Sequence, residues 1–178
     1  ANIQIKHISM GKDHVLALDK NGYIYSWGNN DYNQLGKERH TDISHNLNNR
    51  ANYLLFDVSN IFQEIENIYC SANSSFITMK NSSSQYKNTF YSFGNNDYGQ
   101  LGYKSKETKL YDNTIRNIKL YSIKSNINFQ AKDITAGKSH VVAIDIDDNI
   151  VTWGNNLNGQ LGIINDIDYS PLLTNIGQ

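Results

Sequence analysis

A phrase of ten residues recurs three times along the chain, and a repeat of that fidelity restricts the fold more than any single residue can. It reads Trp-Gly-Asn-Asn-Asp-Tyr-Asn-Gln-Leu-Gly at Trp27–Gly36. It returns as Phe-Gly-Asn-Asn-Asp-Tyr-Gly-Gln-Leu-Gly at Phe93–Gly102 and as Trp-Gly-Asn-Asn-Leu-Asn-Gly-Gln-Leu-Gly at Trp153–Gly162. A second motif stands ahead of it. Gly11-Lys12-Asp13-His14 before Val15–Leu18 matches Gly137-Lys138-Ser139-His140 before Val141–Ile144, and the same interval separates His14 from Trp27 and His140 from Trp153. The middle copy is degenerate. Aligned as Ala72-Asn73-Ser74-Ser75 before Phe76–Met79, it carries Ala72 for the glycine and Ser75 for the histidine. An insertion in the hairpin that follows fits the polar stretch Asn81–Asn88.

Each copy has the makings of an antiparallel hairpin. Val15–Leu18 is apolar and Tyr23–Trp27 is aromatic and alternating, as a half-buried strand requires. Asn21-Gly22 between them tolerates positive φ at both turn positions, and Asp147-Asp148 is a poorer but workable equivalent. Tyr53–Phe56 and Ile65–Cys70 are assigned as further strands of the second repeat, and Ile118–Ile123 and Ala131–Ala136 as those of the third. Pro171-Leu172-Leu173 reads as the start of another unit, since proline suits a strand's first residue. Gly28, Gly94 and Gly154 follow the large aromatic, where the chain must turn, and Gly36, Gly102 and Gly162 close the motif. Gly99 and Gly159 align with Asn33, and asparagine is the next residue most tolerant of positive φ. Leu35, Leu101 and Leu161 then act as apolar plugs between units, and Trp27, Phe93 and Trp153 fill equivalent core sites.

The double motif, Gly-x-x-His followed at fixed distance by Trp-Gly-x-Asn-x-x-Gly-Gln-Leu-Gly, resembles the repeat of the regulator-of-chromosome-condensation family. That resemblance covers nearly the whole chain. It implies an all-β fold, a partial β-propeller of three four-stranded antiparallel blades from a seven-bladed ring. The repeats are set at roughly residues 3–52, 53–117 and 118–170, with a further blade starting at 171–178, all within one propeller domain. At roughly 60 residues per repeat a seven-bladed ring needs about 420, and the sequence has 178. The bare sheet faces are therefore expected to be covered by other blades or by a partner, with the chain, which opens on Ala1, part of a longer protein.

Composition narrows the function classes. The formal net charge is −1, without the basic excess that gripping phosphates calls for, so nucleic acid is not expected as a direct ligand. No apolar run approaches a membrane span, so no membrane insertion is expected. The single cysteine, Cys70, rules out an internal disulfide and fits an intracellular, reducing setting, nuclear or cytoplasmic.

No catalytic constellation, metal site, cofactor motif or small-molecule substrate is indicated. His14 and His140 stand one per repeat and are read as bracing their own loops through backbone hydrogen bonds. His7, His40 and His45 lack ligand spacing. The glycosylation sequons at Asn73 and Asn81 are expected by chance in so Asn- and Ser-rich a chain. Two features are candidates for binding. Asp31-Tyr32 and Asp97-Tyr98 lie in equivalent loops that emerge on one rim, where tyrosine favours interfaces, although a role in the repeat's own structure is the preferred reading. Lys104, Lys106 and Lys109, with Arg116, Lys119 and Lys124, form a basic stretch opposed by Glu107 and Asp112, which reads as a solvated inter-repeat loop or as a patch for an acidic partner or for DNA phosphate. The expected function is a non-catalytic protein–protein interaction module, a scaffold or subunit of a larger assembly. The alternative that the resemblance supplies is guanine nucleotide exchange on the small GTPase Ran at chromatin.

Overall fold

The computed structural model describes residues 2–36, 52–53, 65–79, 90–102, 111–118, 131–145, 147–163 and 169–175. They form three four-stranded antiparallel sheets. The first blade comprises β1 (Ile5–Met10), β2 (His14–Asp19), β3 (Ile24–Gly28) and β4 (Asn52–Tyr53). The second comprises β5 (Ile65–Cys70), β6 (Ser74–Met79), β7 (Phe90–Asn95) and β8 (Tyr111–Ile118). The third comprises β9 (Ala131–Ala136), β10 (His140–Asp145), β11 (Ile150–Asn155) and β12 (Tyr169–Asn175). In each sheet the strands lie in sequence order, and β1, β5 and β9 run beside one another along the inner edge.

The hairpins form where the alternation places them, with Val15 opposite Trp27, Ser75 opposite Phe93 and Val141 opposite Trp153. Their turns differ in one respect from the expectation. Only the second central residue is left-handed, Gly22 at φ 87° and Asp148 at φ 65°. Asp19 tightens the first turn, its Oδ1 accepting from the Asn21 and Tyr23 amides at 2.9 and 2.8 Å. Asp145 does the same for Asp147 and Asn149.

The outer strands correct the expected boundaries. Tyr53 pairs with Tyr25 and so closes the first blade instead of opening the second. Ile118 pairs with Phe90 as the outermost strand of the second blade, not as part of the third. The segment holding Pro171 is β12, paired on β11 as the third blade's own last strand, and starts no new unit. An outermost strand is distant in sequence from the motif it completes, so a repeat cut at the motif assigns it to the wrong neighbour.

Two apolar seams hold the blades together. Leu16, Leu18 and Ile24 of the first blade pack on Ile68, Ile77 and Phe93 of the second. Phe76 and Leu101 of the second pack on Ile134, Val141 and Trp153 of the third. Strand alternation explains the division, because neighbouring β6 residues serve opposite seams: Phe76 turns to the third blade, Ile77 to the first. Leu35, Leu101 and Leu161 are each fully buried, and Leu101 packs in the seam between the second and third blades.

Trp27 departs from its equivalents. Phe93 and Trp153 are 1% and 0% exposed, whereas Trp27 is only partly buried. It lies on the first blade's outward face, with no preceding blade among the described residues.

Candidate functional site

The ten-residue motif builds the same loop three times. Gly28, Gly94 and Gly154 adopt φ of 103°, 115° and 105°, and a Cβ on Gly94 would lie 2.5 Å from the Asn73 carbonyl oxygen. Only glycine fits so close an approach. The first asparagine of each copy then anchors the loop. Asn29 Oδ1 accepts from Gln34 Nε2 at 2.7 Å, Asn95 Oδ1 from Gln100 at 2.5 Å and Asn155 Oδ1 from Gln160 at 2.9 Å. The second asparagine receives the amide of the plugging leucine, Asn30 from Leu35, Asn96 from Leu101 and Asn156 from Leu161. A strand hydroxyl caps that leucine's carbonyl, from Ser26, Ser92 and Thr152 respectively. Asn33, Gly99 and Gly159 share φ near 70°, at 61°, 71° and 72°.

The candidate binding residues sit on this frame. Asp31 and Asp97 are exposed, and each carboxylate accepts from the loop's first asparagine at 2.8 Å. Tyr32 and Tyr98 are partly exposed and join the frame through their amides, which donate to Gln34 and Gln100 Oε1 at 2.9 Å. The third loop carries Leu157, 57% exposed, at the position of the two aspartates. The three loops leave equivalent strand ends and so share a rim. Lys104, Lys106, Lys109, Lys119, Lys124 and the hairpin stretch Asn81–Asn88 lie outside the described residues, and so does the side chain of Arg116.

The first motif is built differently from the sequence alignment. His14 pairs with Gly28 and His140 with Gly154, and the residue that pairs with Gly94 is Ser74, not Ser75. Ser71, not Ala72, then holds the glycine position, its amide donating to the Ser74 carbonyl as Gly11 does to His14 and Gly137 to His140. The change of both residues together has a steric cause. A Cβ on Gly11 would lie 2.1 Å from His14 Cε1, and one on Gly137 2.2 Å from His140 Cε1. With serine in place of histidine, a side chain fits at position 71.

His14 does not brace its own loop, as the sequence suggested. Its Nε2 meets Ser75 Oγ of the next blade at 2.9 Å, and that hydroxyl donates to the Gln34 carbonyl at 2.8 Å. Because the hydroxyl proton points to Gln34, Ser75 Oγ accepts from a protonated Nε2. Burial lowers the His14 pKa to about 4, outweighing the nearby Asp13 charge and Ala72 carbonyl, so the ring is neutral at pH 7. Burial also lowers that of His140. At the next seam the Gln100 carbonyl takes its bond from Trp153 Nε1 at 3.0 Å. Phe93, the equivalent of Trp153, has no such donor, and Ser75 supplies it instead.

Burial pushes the Cys70 thiol up to about 11, which leaves it a packed side chain beside Ser9. Among the described residues no group of His, Cys, Asp and Glu could hold a metal ion, and no helix is long and apolar enough to cross a membrane.

Sequence profiles of the regulator of chromosome condensation (RCC1) repeat match residues 5–34, 131–160 and 88–144. The chain belongs to this repeat family. The RCC1-repeat chain is 31% identical over 173 residues to the Saccharomyces cerevisiae "Protein FMP25, mitochondrial", covering 90% of this chain and 27% of that protein. It is 30% identical over 172 residues to the Xenopus laevis "Protein RCC2 homolog", covering 88% and 31%. It therefore spans about a third or less of these curated relatives. Among solved structures it superposes on yeast RCC1 (Prp20) bound to Kap60 with a TM-score of 0.76 and 21% identity, covering 100% of this chain and 38% of that one. A second Prp20p structure from Saccharomyces cerevisiae, described with binding to Gsp1p and histones, gives 0.75 at 21% identity, with 100% and 40% covered. These likenesses show the RCC1-type blade fold.

Proposed function

We propose that these blades form part of an RCC1-type protein-interaction module whose contact surface includes the rim of equivalent loops. The observation that carries this is the division of labour inside the ten-residue motif. Asn29, Asn30, Gln34 and their counterparts build the loop, and the positions between them, Asp31-Tyr32, Asp97-Tyr98 and Leu157-Asn158, differ among the three copies while reaching the surface of that frame. Variable side chains on a rigid repeat are the usual construction of a recognition surface. The likeness of the chain to a protein named as a GTPase regulator, the human X-linked retinitis pigmentosa GTPase regulator, supports the same reading. The test is affinity capture with the full-length protein against a Tyr32→Ala/Tyr98→Ala variant. The Tyr32 and Tyr98 amide bonds to Gln34 and Gln100 are kept in this variant. Loss of specific partners with unchanged melting supports the proposal, and an unchanged partner set defeats it.

The second reading is guanine nucleotide exchange, suggested by the Gsp1p binding described for Prp20p. Nucleotide release from Ran, measured with and without the full-length protein, decides it: acceleration establishes exchange, and an unchanged rate removes it.

A further inference from the structure

The dipeptide Asn-Gly occurs twice in the sequence, at Asn21-Gly22 and at Asn158-Gly159. In such a pair the following backbone nitrogen reaches the asparagine side chain most readily, because glycine has no Cβ to obstruct the approach. Both asparagines are exposed, and both glycines adopt positive φ, 87° at Gly22 and 72° at Gly159. Their settings differ. Asn158 lies inside the rim frame: its amide donates to Gln160 Oε1 at 2.8 Å, and Gln160 is itself tied to Asn155. The Gly159 amide donates to the Asn156 carbonyl at 2.9 Å, and the Gly159 carbonyl accepts from the Gly162 amide at 3.0 Å. Asn21 lies at a hairpin tip beyond the last strand pair, Leu18 with Ile24. There the Gly22 amide donates to the Asp19 carbonyl at 3.1 Å and the Asn21 amide to Asp19 Oδ1 at 2.9 Å. A tip whose bonds all run to Asp19 opens locally at less cost than a loop tied in at Asn155, Asn156 and Gly162.

We propose that Asn21 is a site of spontaneous deamidation, and that the first blade retains one of its two products and is loosened by the other. In the reaction the Gly22 backbone nitrogen, after yielding its proton to solvent base, attacks Asn21 Cγ. The new C–N bond closes a succinimide ring, and the bond from Cγ to the side-chain nitrogen breaks, releasing ammonia. Water then opens the ring. Breaking the bond from Cγ to the ring nitrogen gives aspartate on an unchanged main chain. Breaking the bond from the residue's carbonyl carbon to that nitrogen gives isoaspartate, whose main chain runs through Cβ and Cγ and is one methylene longer. The third blade already holds the first product. Its hairpin aligns Asp145 with Asp19, Asp147 with Asn21 and Asp148 with Gly22, and the Asp147 amide donates to Asp145 Oδ1 at 2.9 Å as the Asn21 amide does to Asp19. A carboxylate at position 21 therefore fits the turn. The second product does not. Asp19 bonds Tyr23 in both directions, its amide donating to the Tyr23 carbonyl at 2.9 Å and its Oδ1 accepting from the Tyr23 amide at 2.8 Å. Those two bonds fix the main-chain length between the residues, and an added methylene cannot be absorbed without losing one of them.

The test incubates the folded full-length protein in heavy-oxygen water at mildly alkaline pH and maps its peptides by mass spectrometry over time. Ring opening places one solvent oxygen in each converted residue, which separates new products from any present at the start. Asn21 should take up label several-fold faster than Asn158 in the folded protein, and at a matching rate in urea. No conversion at Asn21, or equal folded-state rates at the two sites, overturns the proposal. A several-fold difference that persists in urea assigns the selectivity to flanking residues and overturns it too. The two products are then compared for stability. Asn21→Asp should melt with the parent, and a lower melting temperature overturns the claim that the turn accepts the carboxylate. In the aged protein, brief native-state proteolysis should destroy molecules carrying isoaspartate before those carrying aspartate. Equal survival of the two overturns the distinction between them.

Discussion

His14 Nε2 and Ser75 Oγ lie 2.9 Å apart across the boundary between two blades, and the hydroxyl donates its hydrogen bond to the Gln34 carbonyl. The serine thereby substitutes for the indole that a phenylalanine at position 93 cannot supply. Ser75→Ala leaves a buried carbonyl and a buried ring nitrogen without partners, at a cost of about 1–3 kcal/mol. Adding Phe93→Trp should recover at least half of that loss, because Trp153 satisfies the Gln100 carbonyl in the equivalent place. Urea unfolding of the single and double variants measures the coupling. If Phe93→Trp gives no recovery in the Ser75→Ala background, the indole and the hydroxyl are not interchangeable.

Acid weakens this seam in a defined window. The folded His14 pKa of about 4 lies below its ordinary 6.5, so between those values the unfolded chain binds a proton that the folded one refuses. Stability is therefore fully present above about pH 6.5, falls as the pH drops, and levels off near pH 4. Urea unfolding as a function of pH should show the slope, and His14→Gln should reduce it, leaving the part that His140 contributes. A slope that survives the substitution unchanged would assign the acid sensitivity elsewhere.

The glycine and histidine of the first motif are a steric pair. Gly137→Ala drives a methyl into the His140 ring and should cost about 1–3 kcal/mol, as overpacking does. His140→Ser removes the obstacle, so the double variant should lie closer to the parent than Gly137→Ala alone. The middle blade already holds this solution as Ser71 and Ser74. Additive losses in thermal melts would show that the ring is not what demands glycine.

The hairpins, the plugging leucines and the αL positions were legible in the sequence because each is a local requirement repeated three times. The equivalence of Asn33 with Gly99 and Gly159 is the clearest case, since only backbone conformation links those residues. The middle copy's register was not legible. Ala72-Asn73-Ser74-Ser75 and Ser71-Ala72-Asn73-Ser74 both align plausibly, and only the clash between a Cβ and an imidazole ties the two positions together. The outer strands were misassigned because pairing over a long connection leaves no local mark. The role of Ser75 was hidden for a similar reason: its partners, Gln34 and His14, belong to another blade, and nothing near it in sequence calls for a hydroxyl.

Trp153 and Trp27 occupy one position in the repeat but not one environment, and substitution should separate them. Trp153 is fully buried, packs with Val141 and Leu101, and donates to the Gln100 carbonyl. Trp153→Ala opens a large cavity and should cost about 3–5 kcal/mol. Trp153→Phe keeps most of the volume but strands the carbonyl, for a loss of about 1–3 kcal/mol. Val141→Ser, which places a hydroxyl where Ser75 has one, should reduce that loss. Trp27→Ala measured on residues 1–178 should cost less than Trp153→Ala, because Trp27 is only partly buried and no carbonyl among the described residues depends on its indole. Matched urea titrations of the four variants check the order. A Trp27→Ala loss equal to that of Trp153→Ala would mean that the first blade's outward face is already covered in the isolated chain.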